Sequence, residues 1–302
     1  MPASAADAPC PEQAFNATAL KWHTCAWLLL PVLVFLAGWM YWYAALPLML
    51  LTAAGLAPRK CKEPQTRDSL PAFPLFTRSS FLALAAFAAL MTLSGWGEWV
   101  NQHPDHIVRN ACLRELVASP WPVIFPDGNM LVYNTGFWLV PALAGKLAGL
   151  DAARVLVVLW GTWGLFLAWL WLCVFSGRRS LLLALLMAAF GSLLNFQCWL
   201  GLDLFRLHYF GTAEQIMCSA NASIPVLLFF IFLASGRMPL PWIPLLFAAT
   251  AFYSPLAALG GLPLAACQWY RQWRGVPPLR DVLLHPSFSA SVLLGVCFLL
   301  YY

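Results

Sequence analysis

Long apolar runs separated by short polar stretches make up most of the chain. A helix that crosses a bilayer needs about 20 apolar residues, within a range of about 17–25. The run 25–57 would extend about 50 Å as one helix, which is too long for a single span. Gly38 and the aromatic cluster 39–43 therefore predict a hairpin of two short spans. Further spans are predicted at 81–96, 155–176, 181–197, 222–236, 240–253, 255–270 and 286–302.

The segment 137–150 is short and contains Pro141 and Lys146, so it makes a poor membrane span. The distribution of lysines and arginines favours a topology in which this segment does not cross the membrane. Most of the seventeen lysines and arginines then lie on the same side as the basic stretch 58–80, as the positive-inside rule requires. The pattern thus predicts an all-α polytopic transmembrane helical bundle of about nine spans, with interfacial helices in the first large exterior loop.

Composition supports membrane residence and excludes several enzyme classes. The chain is 62% hydrophobic and 10% charged, against about 45–50% and 25% in soluble domains. Its nine cysteines form no C-x-x-C pair, which argues against a structural zinc cluster and a disulfide framework. The chain also has no P-loop, no G-x-S-x-G elbow and no dinucleotide fingerprint. The net charge of +5 reflects the loops of a membrane protein and does not indicate a nucleic-acid partner.

Half of the twelve carboxylates lie in the two predicted exterior loops, 97–136 and 198–221. The six residues are Glu98, Asp105, Glu115, Asp127, Asp203 and Glu214. Charged groups beside membrane spans carry a high free-energy cost unless they are solvated or have a functional role. The second loop places Arg206 and His208 close to Asp203 and Glu214, so these side chains either line the same cavity or cap helix ends.

Residues 105–117 have helical spacing and predict an amphipathic helix at the membrane interface. Its apolar stripe is predicted to comprise Val108, Ala111, Cys112 and Leu116. Asp105 and Arg109 are four residues apart and should be neighbours on another face. Two simpler interpretations remain open: Asp105 as an N-cap, worth about 1 kcal/mol, and Arg109 with Arg114 as binders of lipid phosphate.

Two histidines, His103 and His106, flank Asp105 and raise the question of a metal site. Pro104 lies between them and disfavours a shared helical face, and no third ligand is suitably spaced. The sequence therefore names no metal ligand and no certain cofactor, and it leaves a divalent metal open.

Several segments resemble bacterial multi-pass membrane proteins of the GT-C glycosyltransferase superfamily, in an uncharacterised subgroup. They are D-x-x-x-R-N-A-x-L-R-E-L from Asp105, then SPWPV, then LVYNTGFWLVPALAGKLAG, and FYSPLAALGGLPLAA at 252–266. The superfamily includes lipid-linked mannosyl-, arabinosyl- and aminoarabinosyl-transferases. The resemblance covers roughly residues 80–270. It implies two regions: an N-terminal hairpin with a basic cytoplasmic loop (1–80), and a GT-C-like core (81–302). Such proteins are usually longer, so the chain is expected to be either a shortened member or a fragment.

The resemblance implies an inverting transferase in the bacterial cytoplasmic (inner) membrane. It would move a sugar from a polyprenyl-phosphate donor to a glycan, lipid or protein acceptor at the exterior face. Asp105 is the expected general base, with Glu98 as the alternative catalytic carboxylate. Expected substrate-binding residues are His106, Arg109, Asn110, Arg114, Tyr133, Asp203, Arg206, His208 and Glu214. Arg109 departs from the family, whose members tend to have histidine before the asparagine of this helix.

Two other classes of function compete with the transferase hypothesis. A multi-pass transporter or flippase for a lipid-linked or small polar substrate is expected to have broken or short helices with charged groups near mid-membrane. A non-catalytic membrane subunit would use its carboxylates only to cap helices. Carboxylates within the spans would favour transport, whereas carboxylates in one exterior cavity would favour transfer.

Overall fold

A computed structural model describes residues 17–57, 77–100, 102–190, 211–274 and 278–302. Within these ranges the chain is all-helical, as predicted, and a single β-bridge joins Ile124 to Met130. The described residues form twelve helices: α1 (Ala17–Trp39), α2 (Trp42–Leu56), α3 (Arg78–Leu93), α4 (His106–Ala118), α5 (Gly136–Ala148), α6 (Leu150–Ser176), α7 (Leu181–Ala189), α8 (Thr212–Ala234), α9 (Trp242–Tyr253), α10 (Pro255–Trp273), α11 (Leu279–Leu283) and α12 (Pro286–Tyr301).

Three helices are long and apolar enough to cross a membrane by length and composition: α1 over Thr18–Trp39, α6 and α8. Helices α2, α3, α5, α9 and α12 are apolar but shorter. The predicted count of nine spans is therefore not confirmed. At 13 residues, α5 extends about 20 Å, which is less than the roughly 30 Å thickness of a hydrocarbon core.

The predicted hairpin near the N-terminus is present, with α1 ending at Trp39 and α2 beginning at Trp42. Gly38 allows the indole of Trp121 to pack closely, because a Cβ there would lie 2.8 Å from the Trp121 ring. Tyr41, Trp42 and Tyr43 are exposed at the turn. Exposed aromatic rings at a helix turn are typical of the membrane–water interface.

The centre of the bundle is an aromatic stack between α1, α6 and α9. The Trp27 indole stacks on Trp160 at 5.1 Å and on Tyr253 at 5.5 Å between ring centroids. Its Nε1 donates to the Trp160 carbonyl, and the Tyr253 hydroxyl donates to the Trp27 carbonyl. Gly164 makes room for Trp27 on α6, because a Cβ there would lie 2.7 Å from the indole. Small residues at helix contacts are a general device of membrane bundles.

Helix α5 packs against both α4 and α6. Its charged residue, Lys146, bonds to the end of α4. Lys146 Nζ donates to the carbonyls of Ser119 at 2.5 Å and Val117 at 3.4 Å, so it satisfies carbonyls at the end of α4. The ammonium also lies 5.0 Å from the Trp121 ring centroid. Gly145 lets α4 approach, because a Cβ there would lie 2.5 Å from a methyl of Val117.

The two ends of helix α6 lie at opposite ends of the bundle, which differ in charge. Its 27 residues extend about 40 Å. Asp151 and Arg154 lie in its first turns, whereas Arg178 and Arg179 follow its last residue. We call the region around Asp151, α4 and the start of α8 the acidic end, and the region around Arg179, the start of α1 and the end of α8 the basic end. Arg179 Nη1 donates to Thr77 Oγ1, which places the start of α3 at the basic end.

Candidate functional site at the acidic end

Helix α4 has a different buried face from the predicted one. Its buried residues are His106, Arg109, Cys112, Leu113 and Leu116. The predicted stripe is wrong in part: Cys112 and Leu116 are buried, but Val108 is 59% exposed and Ala111 is also exposed. The helix rotates its polar residues inward because α8 offers hydrogen-bonding groups at that position.

His106 fixes the start of α4 to the start of α8. Its Nε2 lies 2.9 Å from the Met217 carbonyl oxygen, and its ring meets the Trp96 indole edge-on at 4.8 Å. Trp96 Nε1 in turn donates to the carbonyl of Ile216. Burial lowers the pKa of His106, and the charge of Arg109 acts in the same direction. The buried imidazole is therefore neutral at pH 7 and serves as a hydrogen-bonding group.

Helix α8 is broken at Ser219, whose φ of −152° and ψ of 44° are not helical. The free carbonyl oxygen of Ser219 accepts a hydrogen bond of 2.6 Å from Ser223 Oγ. Ser219 Oγ accepts a hydrogen bond of 3.3 Å from Arg109 Nη2. A kink of this kind frees backbone groups inside a membrane-length helix, and here polar side chains satisfy them.

Arg109 is a buried cation with unused hydrogen-bonding capacity. The residue is 8% exposed, and its guanidinium carbon lies 6.0 Å from the Trp96 ring centroid. Nη2 bonds to Ser219, whereas Nε and Nη1 are buried and have no hydrogen-bond partner among the described residues. A buried guanidinium is costly unless an anion or acceptor meets its N–H groups. Its planar donor fork suits a phosphate or carboxylate.

Asp105 presents an accessible carboxylate beside Arg109. Its side chain is 50% exposed, and Oδ2 lies 3.7 Å from Arg109 Nη2 and 3.6 Å from His103 Nδ1. The predicted proximity of Asp105 and Arg109 is confirmed. Asp105 occupies the N-cap position of α4, but its side chain makes no cap hydrogen bond. The simple capping interpretation therefore does not account for this carboxylate.

Glu98, the alternative catalytic residue, is held by two arginines. Its Oε2 accepts hydrogen bonds from Arg114 Nη2 at 2.5 Å and Arg154 Nη2 at 2.7 Å. Arg154 also donates to Asp151 through Nη1 at 2.8 Å. The Glu98 side chain is only 13% exposed, and its backbone is left-handed, with φ of 66°. This carboxylate joins the end of α3 to α4 and α6.

Three more of the predicted site residues have local partners. Asn110 Nδ2 donates to Gln102 Oε1 at 2.7 Å, so it orders the chain before α4. Glu214 Oε2 accepts from the Gly211 amide at 2.8 Å, which is a cap at the start of α8. The Tyr133 ring packs against Trp138 at 5.6 Å. Asp203, Arg206 and His208 lie outside the described residues.

Sequence reasoning missed Cys218 and Ser219, which face Asp105 and Arg109 from α8. The potential ligand atoms of His103, Asp105 and Cys218 all lie within 4.8 Å of one another. Cys218 is 8% exposed. In the sequence it reads as one more small apolar residue, and no local pattern indicates that α8 breaks beside it.

The acidic end thus combines an accessible carboxylate, a buried cation with unused donors and a group of potential metal ligands. This combination suits recognition of an anion next to a proton acceptor. A comparison of the chain with protein-family models, curated proteins and solved structures finds no match.

Proposed function

We propose that this protein is an inverting membrane glycosyltransferase that moves a sugar from a polyprenyl-phosphate donor to a hydroxyl acceptor. The proposal combines the GT-C resemblance of the sequence with the geometry of the acidic end. The single observation that carries it is the pairing of Asp105 with Arg109. An accessible carboxylate lies 3.7 Å from a buried guanidinium that has two N–H groups without partners among the described residues.

Each residue of the pair has a separate task in the proposed reaction. Asp105 takes the proton from the acceptor hydroxyl, and the acceptor oxygen forms a bond to the anomeric carbon. The bond from that carbon to the lipid phosphate oxygen breaks, and its electron pair leaves with the phosphate. Arg109 offsets the charge that develops on the departing phosphate. A general base of this kind is worth typically about 10²–10⁴-fold in rate.

Glu98 has a positioning role in this proposal. Its Oε2 is bonded to two arginines and its Oε1 is buried, so an acceptor hydroxyl reaches Asp105 more easily than Glu98. Glu98 holds α4 against α6 through Arg114 and Arg154. The orientation of Asp105 and Arg109 depends on that contact.

The outer surface of α4 supports a position at the membrane boundary. Ile107 is 73% exposed and Val108 is 59% exposed, while His106 and Arg109 are buried in the bundle. An interfacial helix inserts such apolar side chains between lipid headgroups. The lipid tail of a donor would then remain in the bilayer while its phosphate reaches Arg109. By the positive-inside rule the basic end faces the cytoplasm, and we place the protein in the bacterial inner membrane as a multi-pass chain.

The test is an assay of sugar transfer from a polyprenyl-phosphate donor with purified protein in nanodiscs. We expect Asp105→Asn to lower kcat by about 10²–10⁴-fold, because it removes the base and preserves the shape. Asp127→Asn is the matched control, since it makes the same change in the exposed turn after α4. Full activity of Asp105→Asn, or equal losses in both variants, would refute the proposal.

One observation favours transport as a second candidate function. The break at Ser219 lies within a helix of membrane length, and discontinuous helices with charged groups are common in transporters. A flippase would move the lipid-linked substrate without cleaving it. Wild-type protein that transports a labelled polyprenyl-phosphate sugar across liposomes but releases no sugar would select this alternative. Protein inactive in both assays would support a non-catalytic subunit.

A further inference from the structure

The three side chains of His103, Asp105 and Cys218 come from two segments that are distant in the sequence. His103 and Asp105 precede α4, and Cys218 directly precedes the break in α8. Their potential ligand atoms lie within 4.8 Å of one another. The nitrogen, oxygen and sulfur donors form the mixed set that Zn²⁺ accepts in proteins.

One of the three separations is close to the value that a tetrahedral zinc ion needs, and the two that involve Cys218 are at most 4.8 Å. With Zn–N and Zn–O distances of about 2.0–2.2 Å, two ligand atoms lie roughly 3.4 Å apart. His103 Nδ1 and Asp105 Oδ2 are already 3.6 Å apart. The same nitrogen accepts a hydrogen bond of 3.3 Å from the Asp105 amide. A bound ion would replace this hydrogen bond, because the nitrogen has one lone pair.

We propose that His103, Asp105 and Cys218 bind one Zn²⁺ ion with an open fourth position. Three protein ligands with one free position are typical of catalytic zinc sites, whereas structural sites are closed by four ligands. The carboxylate and a thiolate together balance the two charges of the ion. Bound zinc also takes over one Asp105 oxygen from Arg109, whose guanidinium then becomes available to an anion.

The site shares Asp105 with the proposed transferase activity, but its test is independent, because metal binding is measured without any sugar donor. If both proposals hold, one Asp105 oxygen binds the ion and the other faces the acceptor hydroxyl. A failed transfer assay leaves the metal site intact, and a failed metal titration leaves the general-base role of Asp105 intact.

The experiment is a Co²⁺ titration of the full chain in detergent after treatment with a chelator. Co²⁺ replaces Zn²⁺ and gives a near-ultraviolet charge-transfer band when a thiolate binds it. We expect a saturable band at one equivalent in the wild type. Cys218→Ser should abolish the band, while Cys267→Ser, which removes an exposed thiol on α10, should preserve it.

A second variant tests the site without touching a thiol. His103→Ala should weaken Co²⁺ binding at least about 10–100-fold, since even the loss of an outer-shell partner has that effect. Competition with Zn²⁺ should remove the band in the wild type. A wild type without the band, a band that survives Cys218→Ser, or unchanged affinity in His103→Ala would each overturn the proposal.

Discussion

Two carboxylates at the acidic end show how similar residues acquire different roles. Glu98 and Asp105 are seven positions apart in one loop, and both are candidates for catalysis. Glu98 is 13% exposed and bonded to two arginines, whereas Asp105 is 50% exposed and lies at 3.7 Å from its arginine. Both arginines bond to Glu98 Oε2, and Glu98 Oε1 is buried. Asp105 is therefore the carboxylate that an acceptor hydroxyl can reach.

The arginines of the two regions also differ in how many of their nitrogens have hydrogen-bond partners. Arg154 donates through both terminal nitrogens, to Glu98 and Asp151, and only its Nε has no partner among the described residues. Arg109 is more deeply buried and leaves Nε and Nη1 without partners among the described residues. The Glu98 region is therefore close to internally neutral, while the Asp105 region retains both an accessible base and unused donors. That difference separates a structural network from a binding site.

Among the variants that compare the two regions, the largest expected effect comes from removing the charge of Arg109. Arg109→Gln should lower kcat for sugar transfer by about 10²–10³-fold, the usual cost of losing one donor to developing negative charge. Arg154→Gln is the matched variant and should leave kcat within a few-fold of the wild type once it is compared at equal folded fraction. Steady-state kinetics measure both. Equal losses of kcat in the two variants would remove the distinction between the regions.

For stability we expect the opposite order: the substitution of Glu98 should cost more free energy of unfolding than the substitution of Asp105. Glu98→Gln should lower the free energy of unfolding by about 1.5–3 kcal/mol, the range for hydrogen bonds to charged groups. The lower half of that range is expected because Arg114 is 53% exposed. Asp105→Asn should change stability by less than about 0.5 kcal/mol. Thermal or denaturant unfolding in detergent gives both values, and a larger loss for Asp105→Asn would contradict the comparison.

A packing substitution should affect the Glu98 region through the position of α4. In Gly145→Ala the new Cβ on α5 would lie 2.5 Å from Val117 and 2.8 Å from Ala153, so α4 and α6 must both shift relative to α5. We expect a loss of about 1–3 kcal/mol. Because Glu98 bridges the same two helices, the double variant with Glu98→Gln should lose less than the sum of the single losses. Full additivity would show that Glu98 does not hold α4 to α6.

The weakest of the contacts to be removed is the hydrogen bond at the break in α8. Ser219→Ala removes the acceptor of Arg109 Nη2 and should destabilise the fold by about 0.5–1.5 kcal/mol. Ser235→Ala is the control, since its hydroxyl bonds locally, donating to the Phe232 carbonyl and accepting from the Arg237 amide. Unfolding measurements on both variants check this. A Ser219→Ala protein as stable as the wild type would show that Arg109 is not held by this contact.

Much of the helix pattern follows from the sequence because local periodicity and apolar length are local properties. The hairpin at Gly38 and the helix after Asp105 were predictable in this way. The buried face of α4 was not, since Ile107 and Val108 look like core residues and His106 and Arg109 do not. Which face turns inward depends on what the neighbouring helix offers. Here that neighbour is the interrupted α8.

The sequence by itself determined an all-helical chain with apolar helices of membrane length, and it singled out Asp105 and Glu98. Apolar run length and helical spacing are enough for those conclusions. Only the tertiary structure decided that Glu98 is bound by arginines from α4 and α6 and that Asp105 meets Cys218. These contacts join residues far apart in the sequence. They depend on helix rotation and on the break at Ser219, which no local pattern specifies.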